Sequence, residues 1–267
     1  MQIIHCSMEQ KSNSSFWSVA FTHFVPCFFV GVFLLYLLNG ILPEDVIVAL
    51  AKGMFSLEDV IIAVLNGTLT AGIVWLFHRD RNRRLKRVGD RSQHPVEKKM
   101  LRHATLVGFI GGALDVLLLL HAEGVILITI IVVVILGLHL KAFNHHIVRM
   151  LKPGNIATWN EVSELMRIYM TMLAGFTLLN ATLEGAHLLL GSAPPFGFMV
   201  NGGDIFLNSF YYTVVTMTTL GFGDIVPQTW DGKLMLIFQC LVSYIMFALM
   251  VGIITRGVVR VRDKDEY

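Results

Sequence analysis

The stretch "TMTTLGFGDIVP", Thr216 to Pro227, concentrates the residues of this chain best suited to handling an ion. Gly221 and Gly223 bracket the aromatic Phe222, the carboxylate of Asp224 follows at once, and threonines crowd in front. Glycine adopts φ > 0 without a Cβ clash, so the carbonyls of Thr219, Leu220, Gly221 and Phe222 can all turn to one side. Such a row of peptide oxygens makes and breaks no covalent bond; what it can do is replace the water around a dehydrated cation. An unpaired carbonyl in an apolar medium costs several kcal/mol, so the row needs a cation to satisfy it.

Other reactive residue types are dispersed. Cys6, Cys27 and Cys240 lie far apart and form no CxxC pair, so neither a disulfide framework nor a zinc site is expected. Of ten histidines only His145 and His146 are close, and neighbours on a helix diverge; a plain interfacial role is favoured over a proton or metal site. A membrane enzyme would need clustered histidines or carboxylates at ligand spacing, and no enzymatic chemistry is expected. Asp115 is the one carboxylate near the middle of an apolar run. It is either a functional acid, the default for such residues, or a hydrogen-bond partner of Asn66 or a hydroxyl.

The elements that must position these residues belong to a membrane. The 267 residues are 55% hydrophobic and only 15% charged, with a mean hydropathy of +0.66; a soluble domain carries about 25% charged residues. A spanning helix needs roughly 17 to 25 mostly apolar residues. Six runs qualify or nearly so: 16–38, 60–77, 104–120, 124–140, 168–190 and 234–254. The first lacks a basic flank and a small-residue cleavage pattern, so it is expected to be retained rather than removed as a leader. If the amino terminus is cytoplasmic, all of the 21 Lys and Arg except Lys52 and Lys233 fall inside. That bias places both ends in the cytoplasm of an integral, multi-pass protein of the plasma (cell inner) membrane. A net charge of +2 gives no case for nucleic acid.

Along the chain, residues 1–15 read as a cytoplasmic start and 16–140 as a four-helix transmembrane bundle. Residues 141–167 read as a cytoplasmic interfacial linker helix interrupted at Pro153, with Asn160 as cap of the fifth helix. Residues 168–256 hold two spanning helices around the quoted stretch, and 257–267 form a short tail. The basic loop at 79–102 is expected to face anionic lipid. The stretch "ILPEDVIVALAKGMF" is too polar to span and suits a short interfacial helix. Ahead of the quoted stretch, "DIFLNSFYYTVVTMTT" is apolar for about four turns, too short to cross, with Asp204 placed as N-cap. A half-helix followed by irregular backbone at membrane depth is tolerated only where it lines an enclosed cavity. The expected fold is all-α, with a re-entrant segment between helices five and six.

"TMTTLGFGDIVP" resembles the selectivity filter of the tetrameric potassium channels, whose signature is Thr-(Val/Ile/Leu)-Gly-(Tyr/Phe)-Gly-Asp. The resemblance extends over Ile168 to about Arg256: outer helix, turret, pore helix, filter and inner helix. It implies potassium coordination by the carbonyls of Thr219, Leu220, Gly221, Phe222 and their neighbour Gly223, with the Thr219 hydroxyl at the innermost site and Asp224 at the outer mouth. It also implies three further identical subunits, since one chain supplies one pore loop and a carbonyl ring needs four. Phe222 replaces the commoner tyrosine, Tyr211-Tyr212 replaces a common Trp pair, and Val215 stands where some members place a glutamate. Tyr211 is then expected to reach the Asp224 carboxylate. Glu184 resembles an acid that holds backbone amides behind the filter.

The six-helix layout is similar to that of voltage-gated channels, but the fourth run, "GVILITIIVVVILGLHL", contains no Lys or Arg. Moving a charge across the field is worth about 2.3 kcal/mol per 100 mV, so steep voltage dependence is not expected. In the sixth helix Ser243 stands where many relatives bend, and Gly252 is the alternative bend. Tyr244, Phe247, Val251 and Thr255 share one helical face and are expected to line the inner cavity. The residues after Thr255 are too few for a ligand-binding domain, so control is expected from lipid, pH, tension or a separate protein. Two other readings stay open: a weakly selective monovalent cation channel and a secondary transporter. The latter needs inverted repeats, and none is seen.

Overall fold

The computed structural model describes residues 16–41, 57–88, 98–119, 122–150, 157–199, 204–255 and 258–259. The elements are α1 (Phe16–Ile41), α2 (Leu57–Val88), α3 (Lys98–Leu119), α4 (Ala122–Met150), β1 (Ala157–Thr158), α5 (Trp159–Leu189), α6 (Ile205–Met217), α7 (Trp230–Thr255) and β2 (Val258–Val259). Six of these helices are long and apolar enough to cross a membrane; α6 is not. Among the described residues the fold is all-α apart from one two-residue parallel pairing, Ala157 opposite Val258 and Thr158 opposite Val259. That pairing ties the start of α5 to the chain just beyond α7.

The helices form because their interiors are long runs of apolar residues, and in lipid only a helix satisfies every backbone group within one segment. Two expectations change. Residues 141–150 do not begin a separate element: α4 runs unbroken for 29 residues to Met150, because no Gly or Pro lies between Lys141 and Met150 to end it. Asn160 does not cap α5, which already starts at Trp159. Pro153 and the stretch "ILPEDVIVALAKGMF" beyond its first residue, Ile41 at the end of α1, lie outside the described residues.

α1 to α4 pack as a bundle in which small residues let the backbones approach, as helices in lipid require. A Cβ on Gly112 of α3 would lie 2.4 Å from Thr70 Oγ1 and 2.9 Å from the Asn66 carbonyl of α2. The same close packing encloses Asp115, fully buried, with Asn66 Nδ2 3.4 Å from its Oδ2. Asn66 also donates to the carbonyls of Gly112 at 2.8 Å and Gly31 at 3.3 Å. The His145 and His146 side chains lie outside the described residues.

The bundle and the re-entrant region share one core. Val25 and Phe28 of α1, Ile128 and Val132 of α4, and Met172 and Phe176 of α5 belong to the same buried cluster as Met217 of α6 and Met246 of α7. At its edge, Phe29 and Phe33 of α1 pack tilted or edge-on against Phe206 and Phe210 of α6 at centroid separations of 5.3 to 6.4 Å. α6 is therefore held from both sides, by α5 and by the bundle.

Candidate ion-conducting site

α6 begins where Asp204, in extended conformation, accepts from the amides of Phe206 at 2.8 Å and Leu207 at 3.0 Å. This cap satisfies two of the amides a helix start leaves unpaired. The helix has 13 residues, about 20 Å at 1.5 Å per residue, short of the roughly 30 Å hydrocarbon core. It is too short to cross and leads directly into the irregular segment 218–224.

The backbone of residues 219–221 hangs from the end of α6 by its amides. Thr219 N donates to Thr216 O at 3.1 Å, and Leu220 N and Gly221 N both donate to Val215 O, at 3.0 and 3.4 Å. Its carbonyls are left over: among the described residues, no hydrogen bond ends on those of Thr219, Leu220, Gly221 or Phe222. The dihedrals explain the division. φ is +61° at Thr219, +57° at Gly221 and +76° at Gly223, and is not positive at Leu220 or Phe222. A left-handed residue at every second position turns successive amides to one side and the carbonyls to the other. At Thr219 the left-handed state carries a branched side chain, an arrangement costing on the order of 1–3 kcal/mol. Glycine positions were legible in the sequence; this strained threonine was not.

Around the filter, Tyr211 donates its hydroxyl to Asp224 Oδ2 at 2.6 Å, and its ring lies nearly parallel to that of Phe222, centroids 6.5 Å apart. The hydroxyl holds the Asp224 carboxyl below the usual carboxylate range, and the same bond pushes the Tyr211 phenol up. Behind them Glu184 of α5, fully buried, accepts from the amides of Phe196 at 2.8 Å and Phe198 at 2.7 Å. This fastens the turret to α5 and sets the Phe196 and Phe198 rings against Tyr212, 5.1 and 5.9 Å away. His187 Nε2 contacts Asp231 Oδ2 at 2.7 Å and joins the outer ends of α5 and α7.

Four contacts on and around α6 had only a weak signal in the sequence, polar residues inside apolar runs. Ser209 donates to Thr177 O at 2.6 Å, Tyr169 to Met217 O at 3.5 Å, and Asn180 to both Thr213 Oγ1 and Gln239 Oε1. α7 runs unbroken through Ser243 and Gly252. Its residues Tyr244 (66% exposed), Phe247 (44%) and Val251 (43%) stand on a face that this single chain leaves uncovered, and Thr255 is exposed as well. Residues 218–224 are exposed throughout.

Comparison with known proteins bears on this same region. Residues 186–260 match the family described as ion channel. The A-type voltage-gated potassium channel KCND3 of Rattus norvegicus and that of Homo sapiens are each 41% identical over 58 residues, covering 22% of this chain and 9% of the relative. The potassium voltage-gated channel protein Shal of Drosophila melanogaster is 40% identical over 58 residues, covering 22% of this chain and 10% of the relative. The chain thus spans about a tenth of the length of these relatives. No solved structure matches the chain. These matches are to channels rather than enzymes, and they meet the resemblance drawn from the filter motif.

Proposed function

We propose that this chain is one subunit of a potassium-selective channel, in which four copies surround an axis and ions pass down their electrochemical gradient. The observation that carries the reading is the left-handed backbone at Thr219, Gly221 and Gly223, with amides folded back on α6 and carbonyls free. Dehydrated potassium is the partner those oxygens lack, with the Thr219 hydroxyl at the inner end and Asp224 at the mouth. Permeant potassium is the one cofactor; no organic one is invoked.

Four copies are invoked because one row of carbonyls leaves most of an ion's shell empty. Leu220, Phe222 and the uncovered face of α7 are apolar and exposed in the single chain, and packing against neighbours buries them. The Tyr244, Phe247 and Val251 face then lines the inner cavity, where an apolar ring gates by dewetting, and Gly252 is the point at which α7 can bend. The protein sits in the plasma membrane with both termini inside and its 79–102 loop against anionic lipid.

The relatives named above are voltage-gated, but a fourth helix without Lys or Arg across residues 124–140 moves no charge through the field. Steep voltage dependence is therefore not part of the reading. Purified protein in planar bilayers under a potassium gradient tests it: the reversal potential follows potassium, and open probability changes little over 100 mV. A reversal potential indifferent to which alkali ion carries the gradient favours the weakly selective channel. Saturating, slow flux favours a transporter.

A further inference from the structure

Mid-membrane polar side chains from three helices converge behind the filter. Asn180 of α5, Thr213 of α6 and Gln239 of α7 are each 0% exposed. Asn180 Nδ2 donates to Thr213 Oγ1 at 3.1 Å and to Gln239 Oε1 at 3.0 Å. Gln239 Nε2 closes the ring on the carbonyl of Thr213 at 3.5 Å. Thr213 lies two residues before Val215, whose carbonyl receives the amides of Leu220 and Gly221. The triangle therefore grips α6 just ahead of the point from which the filter hangs.

We propose that Asn180, Thr213 and Gln239 act as a positioning clasp that sets the selectivity and conducting lifetime of the filter; this rests on the channel reading above. The three side chains touch no ion. They act through α6, whose short length gives it few backbone anchors of its own. In a low-dielectric interior an unmade hydrogen bond is costly, so the clasp holds one arrangement of α6 relative to α5 and α7 against its neighbours. A carbonyl site distinguishes ions differing by fractions of an ångström in radius only if its oxygens keep their spacing. Loosening α6 relaxes that spacing without removing any filter residue. Among the described residues the Oδ1 of Asn180 is buried with no partner, so the two bonds from its Nδ2 are the ones that hold this side chain in the clasp.

The test compares Thr213→Val, which removes the hydroxyl at nearly constant volume, with Thr213→Ser, which keeps it. Gln239→Met removes the third corner and serves as an independent variant should Thr213→Val assemble poorly. Each is recorded in bilayers beside wild type, and amide exchange at residues 218–221 is followed in the purified protein. The expected result for Thr213→Val and Gln239→Met is a rise of about 3- to 10-fold in the sodium-to-potassium permeability ratio, the scale of the net contribution of one hydrogen bond. Faster current decay and faster exchange at 218–221 accompany it. Thr213→Ser matches wild type, and the double variant is no worse than either single one, because the three residues form a unit. Wild-type permeability ratios in both Thr213→Val and Gln239→Met, with only the melting temperature lowered, overturn the clasp as a positioning device. Absence of potassium-selective current in wild type instead overturns the channel reading itself.

Discussion

Replacing Glu184 by Gln isolates the bond that fastens the turret to α5. The carboxylate is 0% exposed and divides its two oxygens between the amides of Phe196, at 2.8 Å, and Phe198, at 2.7 Å. Glutamine keeps the shape but offers one oxygen and one NH2 group, so one of the two amides faces a donor and its bond is lost. A hydrogen bond to a charged group contributes about 1.5–3 kcal/mol, which at about 1.4 kcal/mol per tenfold corresponds to roughly 10- to 150-fold in a local opening equilibrium. Hydrogen exchange read by mass spectrometry on the peptide covering 190–199 measures that change in the purified protein in lipid nanodiscs. The amides of Phe206 and Leu207, capped by the separate carboxylate of Asp204, are the internal control. Accelerated exchange at Phe196 or Phe198 with the Asp204-capped amides unchanged supports the assignment. Equal exchange in variant and wild type, or uniform acceleration over both regions, refutes it. Because the Phe196 and Phe198 rings pack on Tyr212 of α6, the same variant is expected to shorten the conducting period before current decays.

Tyr211→Phe removes the hydroxyl that holds the Asp224 carboxyl below its ordinary range. A depressed carboxylate contributes stability that is present above the unfolded value and lost as pH falls through the folded one. The outer mouth of wild type therefore keeps its contact to a pH below about 3.9, the ordinary aspartate value, and the variant titrates nearer that value. Carbon-13 NMR of the Asp224 carboxyl reads the midpoint, and identical midpoints in the two proteins would remove the brace. In the bundle, Gly112→Ala drives a methyl to 2.4 Å from Thr70 Oγ1 and costs about 1–3 kcal/mol. Gly72→Ala, with nothing within 4 Å, is neutral or mildly stabilising, since alanine is the better helix former. Melting temperatures of the two purified variants check the pair; equal losses would mean that the α2–α3 contact is not as close as described.

How far the site was legible follows from the range of each interaction. The half-helix, its Asp204 cap and the left-handed glycines depend on residues within a few positions of one another, and local sequence carries that information. Thr219 entered the left-handed region although no propensity favours it there; the amides pinned to Val215 and Thr216 oblige it to continue the alternation begun by Gly221 and Gly223. The unbroken passage of α4 through Lys141 shows the opposite error. Mixed charged and apolar residues suggested a new surface helix, yet nothing in the backbone chemistry there ended the old one.

The order of residues alone determined six apolar crossings, one interruption and the carbonyl-presenting motif inside it, because hydropathy and glycine's freedom act over single turns. The folded structure decided which distant groups meet. Glu184 finds two turret amides, Asn180 finds Thr213 and Gln239 on two other helices, and Tyr211 comes within 2.6 Å of Asp224. Those pairings depend on how far each helix is turned and shifted against its neighbours. Close packing between backbones sets that relation, and no single segment encodes it.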